Sequence, residues 1–279
     1  MSRRRAALPW TVAAASVRGA AHAADGTPGQ DAHAVATPGE WLVAVVCDGA
    51  GSALLSETGA TVGAAAACGA FARACAAAPD GPPTEAYWRP AAHAAVAEAR
   101  AAVARALAET PDGTDDRGLP CFERAHATLV CAVARPGGGL LVHIGDGTAI
   151  VTHGDAVRAV SAPENGVYAN ETFFFTEPDW DAHLRLTPVA PPFDNVVLLS
   201  DGGAALAMKD GALFEGFAGP VGRFLAGVSG REGSAALAET LADPRTDAVT
   251  GDDKTVIWAR LAPRGAAPPG ATTPGATTQ

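Results

Sequence analysis

The sequence predicts an α+β fold in which antiparallel β-sheets are covered by α-helices. The order of the elements is strands, two long helices, a series of strands, further helices and a last strand, which is not the regular alternation of a parallel α/β fold. Between residues 127 and 160, the strand-like segments follow one another closely across short Gly-rich turns, as antiparallel strands do. Hydrophobic residues make up 48% of the 279 residues, which is enough for a sizeable core.

The first part of the chain contains two strands and two long helices. Residues 10–17 are predicted to form the first strand. The continuous apolar run WLVAVVC at 41–47 predicts a buried strand that ends in a turn. The Ala-rich segment 56–78 lacks proline and is followed by Pro79, so it predicts a long helix. A second Ala-rich helix is predicted at 87–109.

The rest of the chain is predicted to form strands, with helices before the last one. The predicted strands are 127–134, 140–144, 148–152, 157–160, 171–176, 183–188, 195–200 and 255–261. Two or three helices are expected between residues 203 and 242. We therefore expect one domain at 10–262, preceded by an N-terminal extension at 1–9. The tail at 263–279 repeats Pro-Gly-Ala-Thr-Thr and is expected to be disordered.

Composition excludes several classes of function. The net charge is −10, which disfavours a nucleic-acid partner and leaves carboxylates for hard cations. The five cysteines are odd in number and have no CxxC spacing, so they favour reduced thiols in the cytoplasm over zinc or disulfide frameworks. The apolar run after the three arginines at 3–5 is interrupted by Pro9 and Arg18, which is too weak for a signal peptide. No stretch of about twenty residues is judged apolar enough to span a membrane.

Acidic residues lie at the ends of several predicted strands. Asp48, Asp146 and Asp201 each follow an apolar strand and precede a glycine, and the pair Asp252-Asp253 precedes the last strand. One Asp-Gly pair is typical of a solvated turn. Four such points favour a common edge, where carboxylates would repel one another unless cations neutralised them. Such oxygens suit Mg²⁺ or Mn²⁺, so the spacing predicts a metal site, with phosphoester hydrolysis as the leading chemistry.

Seven short motifs follow one another along residues 10–261. They are GAAHAADGTPGQD (19–31), VVCDGAGSALLSETGA (45–60), ATL (127–129), IGDG (144–147), NET (170–172), LSDG (199–202) and GDDKTV (251–256). Their order and spacing resemble the metal-dependent protein phosphatases of the protein phosphatase 2C type, and more narrowly a bacterial subgroup of that family. The resemblance implies a four-layer αββα sandwich, with two antiparallel sheets flanked by helices. It also implies hydrolysis of phosphoserine and phosphothreonine in proteins.

The resemblance assigns metal ligands. Asp48 would bridge two Mn²⁺ or Mg²⁺ ions, and the carbonyl of Gly49 would be a further ligand of one of them. Asp201 and Asp252 would complete the cluster. Asp146 would bind a third, weaker ion, so the protein would use two or three ions. A water activated by the first two would attack phosphorus in line, which makes Asp48 and Asp201 catalytic.

Three further residues are assigned near the metals by the same resemblance. Asp252 is preferred to Asp253 as the ligand because the family's ligand lies three residues before the Thr or Ser of the last strand, here Thr255. Asp253 then occupies a position where many relatives carry Asn. Asp31 would hold metal-bound water. Asn170 would orient water or substrate, unless it simply begins a strand whose three phenylalanines face the core.

Two positions depart from the family's pattern. Many relatives have an Arg that clamps the substrate phosphate where this chain has His22, which can donate one hydrogen bond but not a bidentate pair. We assign His22 to the catalytic set in that place; the alternative is a structural strand residue. Arg18 could substitute only if residues 18–22 form a regular strand. Ala50 stands where eukaryotic relatives carry a histidine thought to protonate the leaving group, although bacterial relatives also lack it.

These observations leave three classes of function open. The expected one is an enzyme of bacterial signalling, a protein-serine/threonine phosphatase with a phosphoprotein substrate and a Ser/Thr protein kinase, encoded nearby, as partner. The alternative is a weakly active or inactive phosphatase-like scaffold that binds a phosphoprotein or kinase. A phosphate-binding loop at 49–52, opening the next helix, is a third class, but no Lys follows its glycines. Ser52 and Ser56 lack the Gly-x-Ser-x-Gly setting of a nucleophile, and Ser56 is expected to cap the helix.

Overall fold

Two five-stranded antiparallel β-sheets form the middle of the molecule in a computed structural model that describes residues 9–81, 84–164 and 172–262. The first sheet has the order β1-β12-β9-β6-β7 and the second β2-β3-β4-β5-β8. The strands are β1 (Trp10–Val17), β2 (Ala32–Ala36), β3 (Leu42–Cys47), β4 (Leu129–Arg135), β5 (Gly138–Ile144), β6 (Thr148–His153), β7 (Ala156–Ser161), β8 (Arg185–Val189), β9 (Asn195–Leu199) and β12 (Lys254–Leu261). A two-stranded hairpin consists of β10 (Met208–Lys209) and β11 (Ala212–Leu213).

Helices cover the outer face of each sheet, so the fold is the expected four-layer αββα sandwich. The helices are α1 (Ala20–Asp25), α2 (Ser56–Ala77), α3 (Glu85–Glu109), α4 (Asp201–Ala207), α5 (Glu215–Leu225) and α6 (Gly230–Leu241). The α2–α3 pair packs on the second sheet and α4–α6 on the first. Three helices therefore lie between β9 and β12, as the sequence predicts.

The alternation of side chains along β3 explains its continuous apolar sequence. Leu42, Ala44 and Val46 belong to the core between the two sheets. The alternate residues Val43, Val45 and Cys47 face the core under α2 and α3. Because successive side chains in a strand point to opposite faces, a strand buried on both faces needs apolar residues throughout.

Helix α2 corrects one expectation from the sequence. By length and composition, Ser56–Ala77 is apolar enough to cross a membrane, which was not expected. The cause is its high alanine content. The helix belongs to the fold of the domain: 44% of its most apolar stretch is buried, and Ala60, Ala64 and Phe71 lie in the core under the second sheet.

Three other local expectations were wrong. Residues 172–176 do not form a strand: Thr172–Phe174 are outside any named strand, and the chain turns at Phe175. The strand predicted at 183–188 begins only at Arg185, because Trp180–His183 forms a 3₁₀ helix. Ser56 does not cap α2, since the N-cap position is Leu55 and the Ser56 hydroxyl has no hydrogen-bond partner among the described residues.

The segment after β1 differs from the extended strand considered for His22. Residues 20–25 form α1, and Gly19 is its N-cap. Arg18 and His22 are therefore not two positions of one strand, and the condition under which Arg18 was expected to substitute for His22 is not met. Strand β2 follows this segment and was not predicted. Residues 1–8 and 263–279, which hold most of the predicted extension and the predicted tail, lie outside the described residues.

Candidate active site

Strand direction brings the acidic motifs to one edge of the sandwich. In the second sheet, β3 and β5 are both antiparallel to β4, so their carboxyl ends carry Asp48 and Asp146 to the same edge. In the first sheet, β12 is antiparallel to β9, so the end of β9 before Asp201 lies beside the beginning of β12 after Asp252. Each sheet therefore supplies two carboxylates.

These carboxylates line a single cavity of about 450 Å³. The lining residues are His22, Gln30, Asp48, Gly49, Ala50, Gly51, Ser52, Thr128, Asp146, Thr172, Phe174, Asp201 and Asp252. All five predicted metal ligands are among them, together with His22. Asp31 and Asp253 are not in the lining set, and Asn170 lies outside the described residues.

The neighbours Asp252 and Asp253 face different surroundings. Asp252 lines the cavity, whereas Asp253 is buried with 2% of its surface exposed. The Asp253 carboxylate accepts hydrogen bonds from the backbone amides of Gly19 at 2.6 Å and Gln30 at 2.5 Å. Asp253 is therefore committed to holding the chain between β1 and β2, and Asp252 is the member of the pair that is available to a ligand.

His22 lies beside this buried carboxylate at the cavity. Its Nδ1 lies 3.0 Å from Oδ1 of Asp253, and 18% of its side chain is exposed. Helix α1 is fixed at this point because the amide of Ala21 donates to the carbonyl of Gly251 at 2.9 Å. The imidazole is thus the basic side chain among those that line the cavity.

The turn after β3 is fixed by main-chain contacts on both sides. The amide of Asp48 donates to Oγ1 of Thr128, and the amide of Thr128 donates to the carbonyl of Asp48. A Cβ at Gly49 would lie 2.8 Å from the Cβ of Ser56, so the turn fits only glycine there without a shift. Asp48 and the Gly49 carbonyl are therefore carried by a rigid turn.

Two of the four backbone amides at 49–52 are not free to bind a phosphate. The amide of Gly49 donates to the carbonyl of Gln30 at 3.2 Å, and the amide of Ala50 donates to the carbonyl of His126 at 2.9 Å. A phosphate cradle needs such amides to point at the ligand. These contacts argue against the phosphate-binding loop at 49–52 that was considered from the sequence.

Crowding of carboxylates changes their acidity. Burial, with the nearby charges of Asp31 and Asp201, raises the pKa of Asp48 well above its usual value. Burial also raises the pKa of Asp201 and, with the charges of Asp253 and Asp201 adding to it, that of Asp31 to about 7. These shifts show that negative charge is unfavourable at this edge unless a cation balances it.

Asp146 is oriented by the segment that begins at Thr172. Oγ1 of Thr172 donates to Oδ2 of Asp146 at 2.6 Å. Oδ1 of Asp146 is buried without a hydrogen-bond partner among the described residues. One oxygen is therefore positioned by the protein, while the other is left for a ligand.

The donor set fits hard divalent cations. No three His, Cys, Asp or Glu side chains of the described residues are grouped closely enough to coordinate one ion by themselves. Mg²⁺ is usually bound through one or two carboxylates and keeps several waters, so such a closed group is not required. The observations that favour the fit are the four carboxylates on one cavity, the unpartnered Oδ1 of Asp146 and the raised pKa of Asp48.

Four lining residues were not found from the sequence, and one of them is Thr172 of the NET motif. Gln30 is 5% exposed and its Oε1 is buried without a partner among the described residues. Thr128 belongs to a motif that was noted but given no role, and Phe174 was expected only as a possible core residue. Gln30 precedes Asp31 directly, so the motif that pointed to Asp31 is the signal that could have found it.

Comparison with known proteins identifies relatives of the whole domain. The family model described as Protein phosphatase 2C matches residues 18–242. A bacterial serine phosphatase has a TM-score of 0.59 at 15% identity, covering 90% of this chain and 97% of that chain. The Staphylococcus aureus serine/threonine phosphatase Stp1 has a TM-score of 0.59 at 14% identity, covering 94% and 99%. The catalytic domain of PstP, solved with 2 manganese ions, has a TM-score of 0.56 at 19% identity, covering 91% and 99%. No curated protein sequence is significantly similar to this one.

Proposed function

The chain belongs to the protein phosphatase 2C family, and from this premise we propose that it hydrolyses phosphoserine and phosphothreonine in proteins with the help of Mn²⁺ or Mg²⁺. The observation that carries the proposal is the convergence of Asp48, Asp146, Asp201 and Asp252 on one cavity. Two of these carboxylates come from each sheet, so the site depends on the complete sandwich.

The cavity would hold two or three ions. Asp48, Asp201 and Asp252, with the carbonyl of Gly49, would hold two of them, and Asp146 would hold a third. When bound, such ions neutralise a phosphoryl group and lower the pKa of water. The 2 manganese ions in the related PstP structure support this assignment.

His22 would bind the phosphate of the substrate. Because Nδ1 faces the carboxylate of Asp253, which can only accept a hydrogen bond, the proton of a neutral imidazole would lie on Nδ1, and Nε2 would donate to a phosphate oxygen only in the doubly protonated imidazolium. The contact carries a full positive charge only when the imidazole is protonated. One donor replaces the bidentate pair that an Arg would supply, so we expect weaker phosphate binding than with Arg.

Proton transfer to the leaving group would not involve position 50. Ala50 lines the cavity and has no group that can donate a proton. The polar side chains around it include Ser52 and Thr128. The leaving alkoxide would therefore receive its proton from solvent or from another lining group.

The proposed substrates also suggest the cellular role. A phosphatase that acts on phosphoproteins opposes a Ser/Thr protein kinase, so we propose such a kinase as the functional partner and the cytoplasm as the location. The acidic charge of the chain supports a phosphoprotein rather than a nucleic acid as its phosphate-bearing substrate.

The test is phosphate release from three otherwise identical peptides that carry phosphoserine, phosphothreonine or phosphotyrosine. We expect Mn²⁺-dependent release from the first two, abolished by chelator and by Asp48→Asn. The matched control is Asp210→Asn, which changes an exposed carboxylate that does not line the cavity. Release from phosphotyrosine alone would contradict the substrate class. A folded protein that binds Mn²⁺ without any turnover would instead favour the scaffold.

A further inference from the structure

One wall of the cavity is built from a segment without regular secondary structure. This wall segment, residues 172–177, supplies Thr172 and Phe174 to the cavity lining. None of its residues belongs to a named strand or helix. Since no sheet ladder holds the segment, its position depends on individual contacts to neighbouring elements.

Arg100 makes the strongest of these contacts from α3. Its Nη1 donates to the carbonyl of Phe175 at 2.7 Å and to the carbonyl of Glu177 at 2.6 Å. Its guanidinium also lies over the ring of Phe122, 4.7 Å from the ring centre. Hydrogen bonds from a charged donor are about twice as strong as neutral ones, so Arg100 fixes the segment at two points.

Contacts on the other side transmit this position to the cavity. The amide of Phe175 donates to the carbonyl of Ala127 at 3.0 Å, which joins the wall segment to the chain just before β4. The ring of Phe174 stacks on His126, with ring centres 4.8 Å apart and planes at 7°. At the other end, Thr172 donates to Asp146 at 2.6 Å. A shift of the segment would therefore move both the aromatic wall and the orientation of Asp146.

We propose that Arg100 is a positioning residue, which acts through the wall segment to orient Asp146 and to place Phe174 against the substrate. The inference deepens the proposed function and rests on it. Arg100 touches neither the cavity nor the predicted ligands. Its effect on turnover is expected to be indirect, through the position of Thr172 and Phe174.

The first test measures the wall segment without reference to activity. Hydrogen exchange of the Phe175 amide, followed in the metal-free protein, is expected to become about tenfold faster in Arg100→Gln because the local opening is easier. The matched control is Arg105→Gln, the same change at an exposed position of the same helix, with exchange unchanged. Unchanged exchange in Arg100→Gln would overturn the inference, whatever the activity.

The second test is a double-mutant cycle with Thr172→Val, read as kcat/KM for the phosphothreonine peptide. Each single change is expected to lower kcat/KM about tenfold, since small misplacements are costly in active sites. If Arg100 acts through Thr172, the loss of kcat/KM in the double variant is expected to be much smaller than the product of the two single losses. Losses that multiply would show that Arg100 acts by general stabilisation only.

One outcome separates this inference from the proposed function. If the wild-type protein shows no turnover but Arg100→Gln still speeds exchange of the Phe175 amide, the proposed function is overturned and Arg100 is only a structural anchor of the wall segment. If Arg100→Gln does not fold, Arg100→Lys replaces it, since a single ammonium keeps the charge but not the planar fork. The lysine variant is expected to show intermediate exchange and intermediate kcat/KM, and wild-type values for both would overturn the inference.

Discussion

The carboxylate of Asp253 lies 3.0 Å from Nδ1 of His22, and this contact joins the beginning of the last strand to the short helix after the first. The same carboxylate accepts the amides of Gly19 and Gln30. One buried acid therefore fixes the backbone on both sides of the proposed phosphate-binding side chain and lies next to its ring, while the preceding residue, Asp252, faces the cavity. Two adjacent aspartates thus have separate tasks.

This division predicts different outcomes for the two aspartates. Asp252→Asn is expected to lower Mn²⁺ affinity and activity with little loss of stability, because its side chain faces a cavity. Asp253→Ala is expected to cost about 2–4 kcal/mol of unfolding free energy, since it leaves buried amides without an acceptor. Urea unfolding and Mn²⁺ titration of both variants check this. Equal stability losses would contradict the assignment.

Replacement of His22 tests its proposed contact with phosphate. His22→Ala is expected to raise KM for the phosphothreonine peptide about tenfold, as expected for a lost hydrogen bond to a charged group. His22→Arg is expected to leave KM at the wild-type value or to lower it, because a guanidinium can pair with phosphate through two donors. His153→Ala, at an exposed histidine, is the control. An unchanged KM in His22→Ala would assign His22 a structural role only.

Two glycines of α2 are expected to respond in opposite ways to alanine. A Cβ at Gly59 would lie 2.2 Å from the carbonyl oxygen of Ala125, so Gly59→Ala is expected to destabilise the protein by about 1–3 kcal/mol. Gly69 has only the end of Arg73 within reach, at 3.5 Å. Gly69→Ala is therefore expected to stabilise by about 0.5–1 kcal/mol through helix propensity. Thermal unfolding of the pair measures both, and a shift of the same sign would be evidence against this packing.

The lowered pKa of His143 implies that the stability of the fold depends on pH. It is fully buried on β5, where Nδ1 contacts Ser161 at 2.8 Å and Nη2 of Arg185 lies 3.1 Å away. Burial, with the charge of Arg185, lowers its pKa from 6.5 to about 3. Between these values the unfolded chain binds a proton that the folded chain does not, so stability is full above pH 6.5 and falls as the pH drops.

The size of this effect is measurable by urea unfolding at several pH values. One proton corresponds to about 1.4 kcal/mol per pH unit within the window. His143→Gln is expected to be less stable at neutral pH but to lose less stability than the wild type between pH 6.5 and pH 4. His153→Gln, at an exposed position, should keep the wild-type slope. A His143→Gln slope equal to that of the wild type would exclude this histidine as the source.

Most of the fold could be predicted from the sequence because its strands are buried on both faces. WLVAVVC was assigned correctly since each face of β3 meets a separate core. The error at 172–176 has a tertiary cause: Phe173 stacks on His183 and Phe174 on His126, so the aromatic run packs against side chains instead of joining a sheet. A local pattern of three phenylalanines cannot distinguish these two environments.

The site could be predicted only in part, for a related reason. The aspartates could be predicted because they lie next to the ends of apolar strands, and the sheet topology brings them together. Helix α1 has six residues and none of them is buried, so neither an apolar periodicity nor a long helical segment predicts it from the sequence. Its contacts with Gly251 and Asp253, more than 200 residues away, determine where His22 lies. The role of Arg100 likewise depends on contacts that no motif encodes.

The most direct test of the central claim is p-nitrophenyl phosphate hydrolysis as a function of Mn²⁺ concentration, with wild type and Asp201→Asn compared. We predict saturable Mn²⁺-dependent turnover in the wild type, removed by chelator and reduced at least about 100-fold in the variant, since one of the proposed metal ligands is lost. Circular dichroism and the Asp210→Asn control confirm that the fold is intact. Turnover that is independent of metal, or equal in the two proteins, would contradict a metal-dependent phosphatase at this cavity.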